Sequence, residues 1–163
     1  MTLNNFKIRE IQPEDNSKIA ITIREILIEF GVPKVGTAYA DTVLDSLYDV
    51  YKDEKAIYFV IEKDGEIYGG AGIKQLDNYS GNVCELQKMY FLPEARGIGL
   101  GSKMMKTCLD KAKEFGYAHC YLETLPYMED ARKLYKKVGF IDLDARMGDT
   151  GHYSCNLWML KAL

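Results

Sequence analysis

The chain has 163 residues, of which 47% are hydrophobic and 28% charged, with a formal net charge of −3 at pH 7. This profile is typical of one ordinary globular domain, and it lacks the basic excess that an electrostatic nucleic-acid surface needs. No apolar run approaches the roughly 20 residues of a membrane span, and the N-terminus, MTLNNFKIRE, lacks a signal-peptide pattern. We therefore expect a single domain over residues 1–163, a cytoplasmic location, and neither a nucleic-acid nor a membrane partner.

Apolar periodicity and turn residues divide the first half of the chain into strands and helices. The predicted elements are an edge strand over residues 6–11, a helix that Pro13-Glu14-Asp15 opens and Gly31 ends, a second helix over 38–51, and strands over 57–62, 67–76 and 83–91. The Asp64-Gly65 pair predicts a hairpin turn between two of these strands. The three strands from residue 57 onward therefore form an antiparallel meander.

The second half predicts a helix over 100–115, stopped by Gly116, and a strand over 117–124 that returns parallel to strand 83–91. A short helix over 128–138 and strands over 140–145 and 153–160 complete the chain. The expected fold is α/β (α+β), with a mixed, mostly antiparallel central sheet of about seven strands flanked by helices.

The four cysteines stand far apart and form no Cys-x-x-Cys pair. A zinc site needs closer pairs, and a disulfide framework is typical of shorter secreted chains. We interpret Cys84, Cys108 and Cys120 as buried free thiols, and we expect no metal site.

The segment Arg96-Gly97-Ile98-Gly99-Leu100-Gly101-Ser102 connects a predicted strand to the longest predicted helix. Its three glycines let the backbone turn tightly and approach a ligand, and the helix presents unpaired N–H groups to the loop. Such a site binds phosphates. A Walker loop requires Gly-Lys-Ser/Thr, whereas Ser102-Lys103 follows the last glycine here, and a dinucleotide loop requires glycine at position 102. Neither template fits.

The pattern Arg-x-x-Gly-x-Gly between a strand and a long helix is followed by Ala131-Arg132-Lys133-Leu134-Tyr135-Lys136-Lys137-Val138-Gly139-Phe140. In these two motifs and in its element order, the chain resembles the GNAT superfamily of acyl-CoA-dependent N-acetyltransferases. The resemblance implies acetyl-CoA as cosubstrate and the following cofactor-binding residues: Met89, Tyr90, Phe91, Arg96, Gly97, Ile98, Gly99, Leu100, Gly101 and Ser102. Backbone N–H groups of the loop would hold the pyrophosphate, and the Met89 N–H would face the thioester carbonyl.

The same resemblance implies that an amine attacks the thioester directly and that Tyr135 is the general acid. Glu85 and Glu123 are both candidates for the base, because relatives place a glutamate at either position, and His152 is a further candidate. Many relatives carry an Asn that bonds the cofactor arm at the position where this chain has Met128. The resemblance to the family does not extend to this contact. Arg24, Glu25, Phe30, Tyr39 and Tyr79 are candidates for lining the acceptor pocket.

These observations predict an enzyme that acetylates a primary amine of a small molecule or an amino-acid-like acceptor. Acetylation of protein N-termini or lysines is an alternative, and so is a non-catalytic coenzyme A sensor. The resemblance also allows a homodimer, since many relatives form one.

Overall fold

One seven-stranded sheet organises the described residues, 5–163, of the computed structural model; residues 1–4 of the predicted domain lie outside them. The elements are β1 (Lys7–Glu10), α1 (Asn16–Glu29), α2 (Leu47–Val50), β2 (Ile57–Lys63), β3 (Glu66–Gln75), β4 (Val83–Phe91), α3 (Leu100–Glu114), β5 (His119–Thr124), α4 (Glu129–Lys137), β6 (Ile141–Leu143) and β7 (Leu157–Ala162). The strand order is β1-β2-β3-β4-β5-β7-β6, and β4 and β5 form its parallel pair. The predicted fold class is confirmed.

The sheet opens between β4 and β5. Their ladder consists of three pairs, the last of which joins Glu85 to Tyr121. Beyond that pair β4 continues alongside β3, where it carries one extra residue between the pairs Gly72↔Gln87 and Gly70↔Tyr90. Lys88 lies in this bulge at φ +50°, a left-handed conformation that non-glycine residues seldom adopt. The bulge and the early end of the parallel ladder leave the second half of β4 without a partner on its β5 side.

Apolar side chains cover both faces of the sheet. On one face α3 and α4 contribute to a core that includes Met104, Met105 and Cys108. On the other face α1 packs through Ile19, Ile23 and Leu27. Gly70 and Gly72 of β3 allow Tyr58 to pack in this second core, because a Cβ at either position would lie within 2.6 Å of the Tyr58 ring. The two glycines therefore make room for a buried tyrosine. Within residues 5–163, no helix has the length and apolar character to cross a membrane.

The predicted helix over residues 38–51 is wrong. The segment consists of two 3₁₀ turns, Ala38–Ala40 and Thr42–Ser46, and the single helical turn of α2. Asp41 separates the 3₁₀ turns in an extended conformation (φ −61°, ψ 119°). A 3₁₀ turn aligns residues three apart, which places Leu44 and Leu47 together in the core, while Val43 is exposed. Core packing and Asp41 therefore override helical periodicity here.

The last two strands are shorter or shifted compared with their predictions. β6 keeps three of the six predicted residues, and β7 begins at Leu157 instead of Tyr153. The intervening residues 144–156 form what we call the covering loop. Ser154 attaches it to residues 35–36 through its N–H and hydroxyl, and Asp149 attaches it to the β3–β4 connection. These bonds hold residues 153–156 away from the sheet, so the strand cannot begin earlier.

Candidate active site

The glycine loop, residues 96–102, connects the open end of β4 to α3. Gly97 and Gly99 both have left-handed φ values, +70° and +88°, and Gly99 directly precedes the first residue of α3. A Cβ at Gly97 would meet no atom within 4 Å, so this side of the loop faces open space. At Gly101 a Cβ would lie 3.2 Å from Leu134 of α4 and 3.6 Å from Phe91 of β4. The loop therefore combines an open backbone surface with a tightly packed helix start.

Arg96 fastens the glycine loop to α1. Its guanidinium donates two hydrogen bonds of 2.8 Å to the Glu29 carboxylate, and its Nε donates to the Phe91 carbonyl. The same guanidinium stacks 4.8 Å from the Phe30 ring centre. Arg96 was predicted as a cofactor-binding residue, and Phe30 as part of the acceptor pocket. Both side chains make these contacts, and their predicted roles stay predictions.

A cluster of ionisable side chains lies where β4 and β5 part. Glu85, Glu123 and His152, here called the polar cluster, bring ligand-type atoms within 4.8 Å of one another. They come from the last paired residue of β4, from β5 and from the covering loop. The structure thus brings together the two predicted base candidates with the histidine.

Glu85 is buried, with 3% of its surface exposed. Its Oε1 accepts a 2.6 Å hydrogen bond from the Gln87 amide, whose own oxygen accepts one from the Tyr51 hydroxyl. Burial raises the pKa of Glu85 to about 7. The hydrogen bond from Gln87 lowers this pKa, and the Glu123 carboxylate raises it further. Glu85 therefore exchanges its proton near neutral pH.

Glu123 makes two hydrogen bonds as an acceptor. The Tyr121 hydroxyl donates to Oε2 over 2.7 Å, and the Thr150 hydroxyl of the covering loop donates to Oε1. Tyr121 in turn accepts the Met147 N–H at 3.3 Å. Glu123 therefore ties the covering loop to β5.

His152 is held from its other side by Asp41. The distance from His152 Nε2 to Asp41 Oδ2 is 2.9 Å, and the Lys88 ammonium lies 3.2 Å from the same carboxylate oxygen. Burial tends to raise the pKa of Asp41, but the His152 bond and the Lys88 charge outweigh it and lower that pKa. Burial tends to lower the pKa of His152, but the bond and the charge of Asp41 raise it above its ordinary value.

Tyr135 lies outside the polar cluster, in the core on the α3–α4 face. Its ring packs edge-on against Phe140 with centres 6.0 Å apart, and 7% of the residue is exposed. Burial raises the pKa of Tyr135 far above its usual range. The hydroxyl therefore keeps its proton at any working pH.

The remaining predicted pocket residues do not join the polar cluster. Arg24 pairs with Asp45 at 2.6 Å, and Tyr39 lies beneath the Arg24 and Lys34 cations. Glu25 and Tyr79 are exposed. Three residues with no predicted role contact the cluster instead, namely Asp41, Gln87 and Thr150, and Lys88 contacts Asp41. Asp41 carried no usable signal, because its partner His152 is 111 residues away.

The spacing of the polar cluster would also suit a cation. Both Glu123 oxygens already accept hydrogen bonds, however, and the Asp41 carboxylate behind His152 is neutralised by Lys88. We therefore interpret the cluster as a set of proton-exchanging and hydrogen-bonding groups.

The single tryptophan of the chain borders this region. Trp158 lies opposite Glu123 in the β5–β7 ladder, and the Arg146 guanidinium of the covering loop lies 5.8 Å from its ring centre. Its buried Nε1 finds no hydrogen-bond partner among residues 5–163.

Comparison with known proteins identifies the family. Residues 21–140 match the model of the acetyltransferase (GNAT) family. The chain is 41% identical to the uncharacterized N-acetyltransferase YjgM of Escherichia coli (strain K12) over 157 residues, which cover 96% of this chain and 94% of that protein. The IAA acetyltransferase of Azospirillum brasilense is 30% identical over 66% of this chain and 69% of its own length.

Solved structures share the whole architecture. A GNAT-family acetyltransferase of Staphylococcus aureus Mu50 superposes with a TM-score of 0.85 at 20% identity, over 96% of this chain and 98% of that one. The protein yncA of Salmonella typhimurium, solved with its cofactor acetyl-CoA, gives a TM-score of 0.76 at 19% identity, over 98% of this chain and 94% of that one. Together with the motif-bearing loop and the sheet that opens beside it, these matches show that the chain belongs to the acetyltransferase (GNAT) family and is an acetyl-CoA-dependent N-acetyltransferase.

Proposed function

We propose that this chain transfers the acetyl group of acetyl-CoA to a primary amine of a small molecule or an amino-acid-like acceptor, by direct attack and within one domain. The observation that carries the proposal is the position of Glu85. It is the last residue of β4 paired with β5, so a buried carboxyl with a pKa of about 7 stands where the sheet opens. A group of that pKa suits removal of a proton from an ammonium near neutral pH.

The donor half of the reaction belongs to the second half of β4 and to the glycine loop. In this proposal the N–H groups of residues 97–102 bind the pyrophosphate, because the start of α3 supplies unpaired donors and a positive dipole end. The strand residues Met89, Tyr90 and Phe91, which have no β5 partner, bind the extended pantetheine arm through the backbone. The Met89 N–H then stabilises the developing oxyanion.

Acid and base lie on different elements. Glu85 accepts a proton of the incoming ammonium, with Glu123 beside it, and the neutral amine attacks the thioester carbonyl. Tyr135, whose pKa is raised by burial, protonates the departing thiolate. This assignment uses each residue in the protonation state that its surroundings favour.

The covering loop favours a small acceptor over a polypeptide. It is attached to residues 35–36 by Ser154 and to the β3–β4 connection by Asp149, with Glu123 bonded beneath it. A loop attached at both sides restricts the approach of a folded protein surface more than that of a small amine. This observation ranks acetylation of protein N-termini or lysines second.

The test is release of coenzyme A thiol from acetyl-CoA in the presence of amino acids, diamines, polyamines, small aromatic amines and peptides with free N-termini. We expect turnover with at least one small primary amine. Turnover with peptides alone would favour the protein-directed alternative. Binding of acetyl-CoA, measured by calorimetry, without turnover on any amine would support the sensor alternative and contradict the proposal.

A further inference from the structure

We propose that His152, positioned by Asp41, is a proton acceptor of the transfer reaction alongside Glu85, and that Glu123 anchors the covering loop instead of acting as the base. This inference rests on the proposed direct attack by an amine. It assigns a catalytic role to His152 and a positioning role to Asp41.

Hydrogen bonding fixes which nitrogen of His152 carries the proton. Asp41 is ionised at neutral pH, so its oxygens only accept hydrogen bonds. With Nε2 2.9 Å from Asp41 Oδ2, the neutral imidazole must have its hydrogen on Nε2. The lone pair then lies on Nδ1, which faces the polar cluster. This is the arrangement in which a carboxylate sets the tautomer and orientation of a general base.

Nδ1 is available, whereas Glu123 is occupied. The distance from His152 Nδ1 to Glu123 Oε1 is 3.9 Å, beyond hydrogen-bond reach, and Nδ1 makes no hydrogen bond within residues 5–163. Glu123 uses one oxygen for Tyr121 and the other for Thr150. Two atoms therefore remain through which the cluster can take up a proton. One is Nδ1 of His152, and the other is Oε2 of Glu85, the oxygen that Gln87 does not bond.

The charges around His152 come from four residues on three segments. Asp41 lies between the two 3₁₀ turns, Glu85 and Lys88 lie on β4, and Glu123 lies on β5. The three carboxyl groups favour the imidazolium, while the Lys88 ammonium opposes it. Glu85 and His152 lie close enough to titrate as a coupled pair, so their apparent pKa values belong to the pair.

The proton balance of the step is closed. An acceptor ammonium loses one proton to Glu85 and becomes a neutral amine. Its nitrogen bonds to the thioester carbon, the C–S bond breaks as Tyr135 protonates the departing thiolate, and the second proton of the nitrogen passes to Nδ1 of His152 as the amide forms. Tyr135 regains its proton from Glu85. The imidazolium then returns its proton to solvent, which reaches 15% of the His152 side chain. One acetyl group moves and one net proton is released.

An NMR titration tests the positioning without any acceptor. The chain contains two histidines, so spectra of wild type and H152Q identify the His152 signals directly. We expect the Nε2–H tautomer above the His152 pKa, a pKa above that of a free histidine, and loss of both features in D41N. The matched control is D45N, because Asp45 pairs with Arg24 at an exposed site.

The D41N change also leaves Lys88 without its partner, and the Lys88 side chain is only 6% exposed. The double variant D41N/K88M removes both charges, so the test remains possible if D41N alone does not fold. We expect it to keep the cooperative unfolding of wild type and to lack the tautomer preference. A retained Nε2–H tautomer in the folded double variant would overturn the role of Asp41.

Kinetics test the catalytic role, with whichever amine gives the highest turnover in the thiol-release panel. We expect H152Q to lower kcat/KM about 100-fold, in the range of general-base effects, while the acetyl-CoA Kd stays within twofold of wild type. In D41N the acid limb of the pH profile should move to lower pH, because loss of the carboxylate lowers the His152 pKa. H119Q, which changes the other histidine, is the control.

Activity of H152Q within twofold of wild type at all pH values would overturn the inference and leave the proposed acetyl transfer intact. If D41N lost the same fraction of activity at every pH and its acid limb did not shift, the role of Asp41 would be purely structural. That result would also contradict the inference. Failure of every amine in the panel would instead count against the proposed function, while the NMR arm would still decide the positioning by Asp41.

Discussion

The proposed donor and acceptor sides of this enzyme are built in opposite ways. The glycine loop is seven consecutive residues whose proposed binding groups are backbone N–H donors, and its geometry requires glycine because Gly97 and Gly99 have positive φ. The polar cluster and its supports come from residues 41, 85–88, 121–123 and 150–152, and their useful groups are side chains. The first region depends on local conformation, whereas the second depends on distant elements that bury mutually compensating charges.

This difference predicts different responses to substitution. A change in the glycine loop should alter ligand affinity with little effect on other groups. A change in the polar cluster should alter stability and the titration of neighbours, because each charge there depends on another.

Gly99→Asp should give the largest effect, a loss of acetyl-CoA affinity of at least about 100-fold, or about 3 kcal/mol. The carboxylate would stand where the helix start and loop attract anions. The control is Gly116→Asp, because Gly116 has φ +87°, nearly the +88° of Gly99, and open space around its Cβ. Calorimetry with acetyl-CoA measures both. Equal affinity of the two variants would contradict the assignment of the loop.

Glu85→Gln should stabilise the protein at pH 8 by about 3 kcal/mol while lowering turnover. The folded-state pKa of about 7 lies above the ordinary value of 4.5, so wild-type stability is highest in acid and falls as pH rises between these values. Glutamine removes that loss, so the free energies of unfolding of the variant and the wild type should become equal near pH 4.5. Urea unfolding at pH 4.5 and pH 8 measures the difference. The exposed Glu94→Gln is the control, and a constant difference at both pH values would contradict the raised pKa.

Tyr135→Phe should lower kcat by about 10- to 100-fold, or about 1–3 kcal/mol, if the hydroxyl protonates the leaving thiolate. The ring packing against Phe140 is retained, so the acetyl-CoA Kd should change little. Stopped-flow thiol release with saturating cosubstrate measures the effect. The exposed Tyr127→Phe serves as control. Unchanged kcat would remove Tyr135 from the acid role.

Glu29→Gln should have the smallest effect, because it breaks a partly exposed ion pair with Arg96. We expect a loss of acetyl-CoA affinity of about 0.5 kcal/mol, roughly twofold, as the loop loses its tie to α1. The control is Asp110→Asn, which breaks the exposed Lys106–Asp110 pair on α3. If both variants lowered the acetyl-CoA affinity equally, the Glu29–Arg96 ion pair would have no specific role.

The contrast also explains what the sequence could and could not predict. Strands β2 to β5 and helix α3 follow from local apolar patterns, and the glycine loop follows from contiguous residues. The helix predicted over 38–51 fails because Asp41 is extended and bonded to Lys88 and His152, both far away in sequence. No local pattern encodes a hydrogen bond across 111 residues. Glu85 and Glu123 were predicted as bases, but their different occupancy by hydrogen bonds appears only in three dimensions.

Trp158 gives the chain an optical reporter of its own. Because it is the only tryptophan, the intrinsic emission excited at the red edge of its absorption comes from one site. That indole lies beside Glu123 and beneath Arg146 of the covering loop. An amine that displaces the loop will change the polarity and charge around the ring and thereby its emission. Binding of an acceptor at the proposed site can therefore be followed by fluorescence without a label, including for amines that bind and are never acetylated.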